Sequence, residues 1–434
     1  MSLHVVVIGA GIVGAATALE LLRDGHRVTI IEPGEPGGEQ AASYGNGAWL
    51  SPASVVPMSM PGMWKKVPGY LADPLGPLTI RASALPQLLP WLVRFVLAGA
   101  TVSRVEATAR ALAPLLRDAP ARHARLAVEA GVSELIRQDG LLYVYPDRQA
   151  FEDEALAWRL RRDNGVRWTE LSCEQLHARE PALHPRYQLG ILIESGAHCT
   201  DPGAYVAALV RHAVAQGASL VRSRATGFDL ATGRLRAVLT EDGGKIYCDR
   251  AVIAAGIRSK PFAVAAGDKI SLESERGYHV VVADPEAAPR APVMPSDGKM
   301  ANTMTTAGLR ASGQVELADV EAPPNWTRAR VLLDHLRRTY PGLPDRIPAA
   351  RLASWMGHRP STPDGLPVIG AAAKCSDVVH AFGHGHVGLA AAPATASLVA
   401  DIIGGRESPI PLAPYSAARF RRWSSSPFPA SGAR

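Results

Sequence analysis

The chain has 434 residues, 47% of them hydrophobic, and a net charge of +6. That is room for two large domains at an ordinary globular composition. The basic residues are mostly arginines scattered among 40 acids, with no Lys/Arg block before the last twenty positions, which argues against a nucleic-acid footprint. The four cysteines stand far apart without a C-x-x-C pair. This speaks against a zinc framework or a disulfide scaffold and suits a reducing, cytoplasmic compartment.

His4–Ile8 is the continuous apolar run of a parallel strand covered on both faces. With a strand-like run this close to the start, no secretory leader is expected. A helix is predicted from about Ile12 to Asp24, stopped by Gly25, and a second strand over Arg27–Glu32. Between strand and helix, Gly9-Ala-Gly11-Ile-Val-Gly14 fits G-x-G-x-x-G. Gly9 permits the tight turn, Gly11 lets backbone approach a pyrophosphate at the helix N-terminus, and Gly14 lets helix and strand pack closely. Glu32 stands eighteen positions past Gly14, where a carboxylate accepts from adenosine ribose hydroxyls and repels a 2′-phosphate. These residues predict a dinucleotide and leave FAD and NAD both open. Downstream, "GEQAASYGNGAWLSP" offers small residues and amides (Ser43, Asn46, Gly47, Ala48) that bring backbone close to a longer part of a ligand. The pattern G-x-G-x-x-G recurs once, at Gly383-His-Gly385-His-Val-Gly388, but no second strand with a terminal acid follows it, so no separate NADPH site is expected.

Residues 57–90 are rich in proline and methionine and poorly periodic. The most apolar segment, 84–102, contains Pro86, Pro90 and Arg94 and reads as a buried or surface-docking helix rather than a membrane span. Residues 105–165 have a mostly helical pattern. Asp201 and Pro202 open a helix that Gly217 ends, and Ser219–Arg224 follows as a strand. Two short strands flank the "EDGG" turn (Glu241–Gly244), and "DRAVIAAG" is a buried strand ending in Gly256. "YHVVVA" and "QVELADV" are strand-like, and Asn325 caps a helix to about Tyr340. The tail after Trp423 has a disordered composition.

Near the end comes "HAFGHGHVGL" (His380–Leu389), three histidines interleaved with glycines, ahead of a helical stretch "LAAAPATASLVADIIGG". A metal would need three or four converging ligands with partners behind them, and no distant His/Cys/Asp cluster offers itself. No metal is therefore expected.

Taken together, "VVVIGAGIVGAATALELLRDGHRVTIIE", "AASYGNGAWLSP", "DRAVIAAG", "ERGYHV" and "WMGHRPSTPDGLPVIG" followed by "FGHGHVGL" resemble the FAD-dependent amine-oxidising family of D-amino-acid, glycine and sarcosine oxidases. The likeness is nearest to bacterial D-amino-acid dehydrogenases, and the "RGYHV" and "FGHGHVGL" forms invite comparison with the D-hydroxyproline dehydrogenase branch. It covers nearly the whole chain, and the last pair of motifs is its most specific part. The resemblance implies an α/β fold: a Rossmann-like FAD-binding domain (1–56, 196–270, 352–415) interleaved with an α+β substrate domain on a mostly antiparallel sheet (57–195, 271–351), with 416–434 as a largely disordered tail. It adds Ile12, Val13, Leu50, Thr226, Ala254, Ala255, Gly256 and Gly357 to the FAD-contacting residues, and runs the loop Gly383, His384, Gly385, His386, Val387, Gly388, Leu389 beside the flavin. The helix behind that loop would stabilise negative charge on reduced flavin with its N-terminus.

The same resemblance implies that an amino acid's α-hydrogen leaves as hydride to the flavin and that the imine then hydrolyses. Arg359 is the candidate for holding the substrate carboxylate, because a guanidinium forks onto it. Tyr278 is expected at the substrate or a lid and His386 against substrate or flavin, with Arg310 and His358 as supporting groups. His358 stands where relatives carry an apolar or aromatic residue, which suggests a polar substrate. Cys375 lies outside the motif through which sarcosine-oxidase relatives attach flavin, so FAD is expected to be non-covalent. Electrons are expected to pass to a quinone or other carrier, with peripheral contact to the inner membrane face through residues 85–102 as an option. Oxidation of glycine, sarcosine or a hydroxyproline is the near alternative, and a non-catalytic FAD-binding subunit the distant one.

Overall fold

The computed structural model describes residues 2–66, 69, 75–76 and 78–421. A six-stranded sheet runs in the order Ser219–Val221, Arg27–Ile31, His4–Ile8, Arg250–Ile253, Val378–Phe382, Val368–Ala371. Its pairs are parallel except the last. Its inner strands are buried on both faces (Val5, Val6 and Val7 are fully buried), which is why they read as unbroken apolar runs. The helix Ile12–Arg23 crosses from the first strand to the second. Asp201 caps the helix Pro202–Ala215 by accepting from the Ala204 N–H.

A nine-stranded, largely antiparallel sheet forms the second layer. Its spine is Leu352–Ser361, Glu273–Val282, Gly308–Leu317 and Ala301–Thr305, and the helix Thr327–Thr339 covers one face of it through Leu332, Leu333 and Leu336. A three-stranded meander (Ala225–Ala231, Arg234–Thr240, Lys245–Tyr247) turns at the "EDGG" sequence. The α/β class and the mostly antiparallel second sheet are as expected.

Four details differ from the sequence reading. The strand Leu352–Ser361 is the edge of the large sheet, pairing along the full length of Glu273–Val282, rather than part of the nucleotide unit. Helices Val102–Leu116 and Ala119–Glu129 join the nucleotide-unit core through Val105, Leu112 and Leu126, because their apolar faces have the C-terminal helix to pack on. The mostly helical pattern of 105–165 hides strands Ile136–Arg137 and Leu141–Tyr145, whose every-residue apolar run cannot be told from a buried helix by period alone. Residues 417–420 form a short turn that buries Phe420, so the ordered chain outlasts residue 415; the tail beyond 421 lies outside the described residues. We propose the two discontinuous units with these boundaries moved accordingly.

The expected apolar helix is Leu85–Ala98, with Leu88, Trp91 and Phe95 buried and Leu89, Val93 and Leu97 exposed. Among the described residues, the single helix long and apolar enough to cross a membrane is the one at the C-terminal end, and most of it is buried.

Candidate active site

Between the two sheets lies a cavity of about 1390 Å³. At one end the dinucleotide motif does what its spacing requires. Gly9 has φ +104°, and a Cβ there would stand 2.6 Å from the Ala254 carbonyl oxygen. A Cβ on Gly14 would overlap the Gly9 carbonyl, so Gly14 serves strand–helix packing and stays outside the cavity. A Cβ on Gly11 would meet only Ser43 Oγ, at 3.5 Å, with open space beyond. The Ser43 hydroxyl accepts from the Ile12 N–H at 3.1 Å and ties the loop to the helix start. Glu32 lines the cavity while its carboxylate accepts from the N–H groups of Ala10 (2.9 Å) and Gly34 (3.0 Å).

Loop 44–48 is suspended by its carbonyls from the large sheet. Arg310 Nη1 donates to the oxygens of Tyr44 (3.3 Å) and Asn46 (3.1 Å), Thr303 Oγ1 to that of Gly47 (3.0 Å), and the His279 ring to that of Gly45 (3.2 Å). With the carbonyls held by the sheet, Gly45 and Gly47 border the cavity. Ala48 takes a left-handed φ of 68°, held where Asn46 Oδ1 accepts from its N–H. Neither Ala48 nor Leu50 reaches the cavity: both are fully buried, Leu50 in the core of the nucleotide unit. Arg310 thus supports the loop from behind and does not border the cavity.

The far end is built on glycines. Gly277 and Gly357 face each other across two strands. A Cβ on Gly357 would overlap the Trp355 ring, and one on Gly277 the Arg359 guanidinium. The absent side chains let Trp355 and Arg359 lie across the sheet, both bordering the cavity. Arg359 Nη1 donates to the Gln314 carbonyl at 3.2 Å. That carbonyl is turned inward by a β-bulge between Gly277 and Tyr278, where Gln314 adopts φ 59°. Burial lowers the pKa of Arg359, and the nearby Glu275 partly restores it.

The loop at 384–388 and Leu389 also border this end. His384 Nε2 lies 2.9 Å from Thr395 Oγ1, and burial pushes its ring down to about 4. His386 is open to the cavity yet walled in by protein; burial first, then Arg359, push it to about 4 as well. Both rings are therefore neutral at physiological pH. Gly383 (φ +84°) lies outside the cavity and turns the chain into the loop.

The helix Gly388–Gly404 contains Pro393, which has no N–H to give the Leu389 carbonyl. His123 Nε2 stands 2.8 Å from that oxygen, and Nδ1 stands 2.9 Å from the Tyr205 hydroxyl. A carbonyl only accepts, so Nε2 carries the proton and Nδ1 accepts from Tyr205. Burial pushes His123 down to about 4, which keeps it neutral.

Thr226, Ala254, Ala255, Gly256, Val13, His358 and Val387 also border the cavity. His358 Nδ1 lies 2.8 Å from Ser274 Oγ. Tyr278 does not border it. Its hydroxyl donates to Glu316 at 2.6 Å and accepts from the Asn325 N–H at 2.9 Å, in the core behind the sheet. Side chains alternate along a strand, so Gly277 on the cavity face sends Tyr278 to the other. Sequence reasoning missed Glu275, Gln314, Trp355 and His123. The alternation that displaces Tyr278 would have pointed to Glu275; nothing in the sequence marks the bulge at Gln314. Cys173, Cys199, Cys248 and Cys375 are all free and none borders the cavity. Among the described residues no three His, Cys, Asp or Glu side chains are grouped to hold a metal.

The open space over Gly11, the acid at Glu32 and the glycine-floored far end fit an extended dinucleotide such as FAD. The family profile "DAO: FAD dependent oxidoreductase" matches residues 4–402. A D-amino-acid oxidase of Bradyrhizobium diazoefficiens is 56% identical over 96% of this chain and 99% of its own length. A D-amino acid dehydrogenase of Paramagnetospirillum magneticum is 31% identical over 96% and 99%. Among solved structures, glycine oxidase from Geobacillus kaustophilus has a TM-score of 0.71 at 22% identity, covering 96% of this chain and 99% of its own. L-Proline dehydrogenase from P. horikoshii has a TM-score of 0.73 at 20% identity, covering 97% and 98%. The chain belongs to the DAO family of FAD-dependent oxidoreductases.

Proposed function

We propose that the protein oxidatively deaminates a D-amino acid. Bound FAD supplies the hydride acceptor. The chain's residues hold the substrate: Arg359 takes the carboxylate, the Gln314 carbonyl fixes the guanidinium, and Gly277 and Gly357 keep the floor clear. His384 and His386, both neutral, border the site without adding charge that competes for the carboxylate. Met58, Leu78 and Phe95 form an apolar part of the wall, suited to a substrate side chain. The observation that carries the reading is a half-buried arginine laid over a glycine floor beside the loop at 384–388. The names of the 56% and 31% identical relatives support the D-amino acid as substrate.

Two acceptors have support. The oxidase name of the 56% identical relative favours dioxygen. The exposed row Leu89, Val93 and Leu97 favours a quinone or other carrier delivered at an apolar surface, with peripheral membrane contact. The free cysteines support a cytoplasmic setting. Anaerobic mixing with D- and L-amino acids, glycine, sarcosine and hydroxyprolines tests the proposal: D-amino acids should bleach the flavin fastest. Bleaching by none of the panel would favour a non-catalytic FAD subunit, and preference for glycine, sarcosine or hydroxyproline would move the substrate. Reoxidation by air against a soluble quinone then separates the acceptors.

A further inference from the structure

We propose that Glu275 is the amine-binding residue of the site: it receives the substrate ammonium and takes the proton that must leave before the α-hydrogen departs as hydride. The inference rests on the reading above and extends it to the second charge of the substrate.

Glu275 and Arg359 are direct cross-strand partners. Both border the cavity, and Arg359 lies over Gly277, the next residue along on the face that carries Glu275. The two charges influence each other, yet among the described residues no ion pair joins them. Arg359 turns instead to the Gln314 carbonyl. Glu275 is only 3% exposed, and the Ser361 side chain close to it favours its charged form. A buried carboxyl and a half-buried guanidinium on one cavity face, close but unpaired, form a site of two opposite charges. A zwitterion matches it: carboxylate on Arg359, ammonium on Glu275. A site for a simple carboxylate would need no second acid, and this one would repel its ligand.

The proton balance is simple. The ammonium and the Glu275 carboxylate become a neutral amine and a carboxylic acid. The nitrogen lone pair so freed forms the C=N bond as the α-hydrogen leaves with its electron pair to FAD. Burial raises the carboxyl above its ordinary range, offset in part by Arg359 and Ser361, so the protonated product is favoured where it forms. His358, Arg359, His384 and His386 are the other charged or titratable groups bordering the cavity at this end, and Asp364, paired with Arg419 at 2.8 Å, lies beside Glu275 and His386. Arg276 and Glu316 pair with each other at 3.2 Å behind the sheet.

The test compares D-alanine with propionate, the same chain without the amine. In Glu275→Gln, the concentration of D-alanine giving half-maximal anaerobic flavin reduction should rise about 10- to 100-fold. Inhibition by propionate should stay the same or tighten, because a competing acid is gone. Equal changes for both ligands would overturn the proposal and leave Glu275 as a charge balance for Arg359. FAD content and melting temperature check folding; if Glu275→Gln does not fold, Glu275→Asp is read by the same ratio. Wild-type flavin that no amino acid bleaches would sink the proposed function instead, a separate outcome.

Discussion

Replacing His123 with phenylalanine should loosen FAD, and replacing Pro393 with alanine in the same chain should restore it. Phenylalanine fills the ring's volume, so the cavity contribution is small. What is lost is the imidazole donor to the Leu389 carbonyl, in a turn where Pro393 offers no N–H. Tyr205 keeps a second acceptor, the His123 backbone oxygen at 3.3 Å, so the cost centres on one buried carbonyl, about 1–3 kcal/mol. Gly388, Leu389 and Ala390 all border the cavity, so a displaced first turn should appear as weaker FAD binding. A cost of ~1.4 kcal/mol is one factor of ten in the dissociation constant. In the double variant, the alanine that replaces Pro393 returns the missing helical N–H, and most of that loss should vanish. The measurement is FAD titration of apoprotein for wild type, both single variants and the double, closed as a cycle. Additive effects, with the double variant binding no better than His123→Phe, would refute the reasoning and reduce His123 to a packing residue.

Three further outcomes are expected. Gly11→Val should purify as colourless apoprotein, since its side chain grows into the open space above the helix start; full yellow colour would remove the pyrophosphate from that place. Acid precipitation should leave all flavin in the supernatant, because Cys375 is buried in the core beyond the nucleotide sheet and no cysteine borders the cavity; flavin in the pellet would show a covalent link. Arg359→Ala should keep FAD and fold but lose at least ~10-fold in kcat/KM on the D-amino acid, with a smaller loss on its amide; equal losses would make the arginine structural.

The nucleotide end of the cavity was legible because its demands are local. Gly9, Gly11, Gly14 and Glu32 act through backbone geometry within one β-α-β unit, so spacing alone places them. The far end is not local. Arg359 was reachable from its motif, but its meaning depends on Gly277 and Gly357 lying opposite one another, a register that joins residues eighty positions apart. Tyr278 shows the hazard: it sits inside a recognisable motif, yet the two-residue period of its strand sends the hydroxyl to Glu316 behind the sheet. The same period brings Glu275 forward. Gln314 is harder still, since its carbonyl faces Arg359 only through a bulge whose left-handed residue is not a glycine.

His123 was invisible for another reason. Its sequence neighbourhood is an ordinary amphipathic helix, and only Pro393, about 270 positions away, leaves the carbonyl that the imidazole meets. A proline inside the helix behind a flavin is itself a sequence signal, because it announces an orphaned carbonyl four residues earlier. A buried carbonyl of that kind must find a donor, and with the backbone donor removed the donor must come from a side chain or water. The histidines that drew the eye in "FGHGHVGL" hold no metal cluster among the described residues. His123, which carries no motif, sets the helix that follows them.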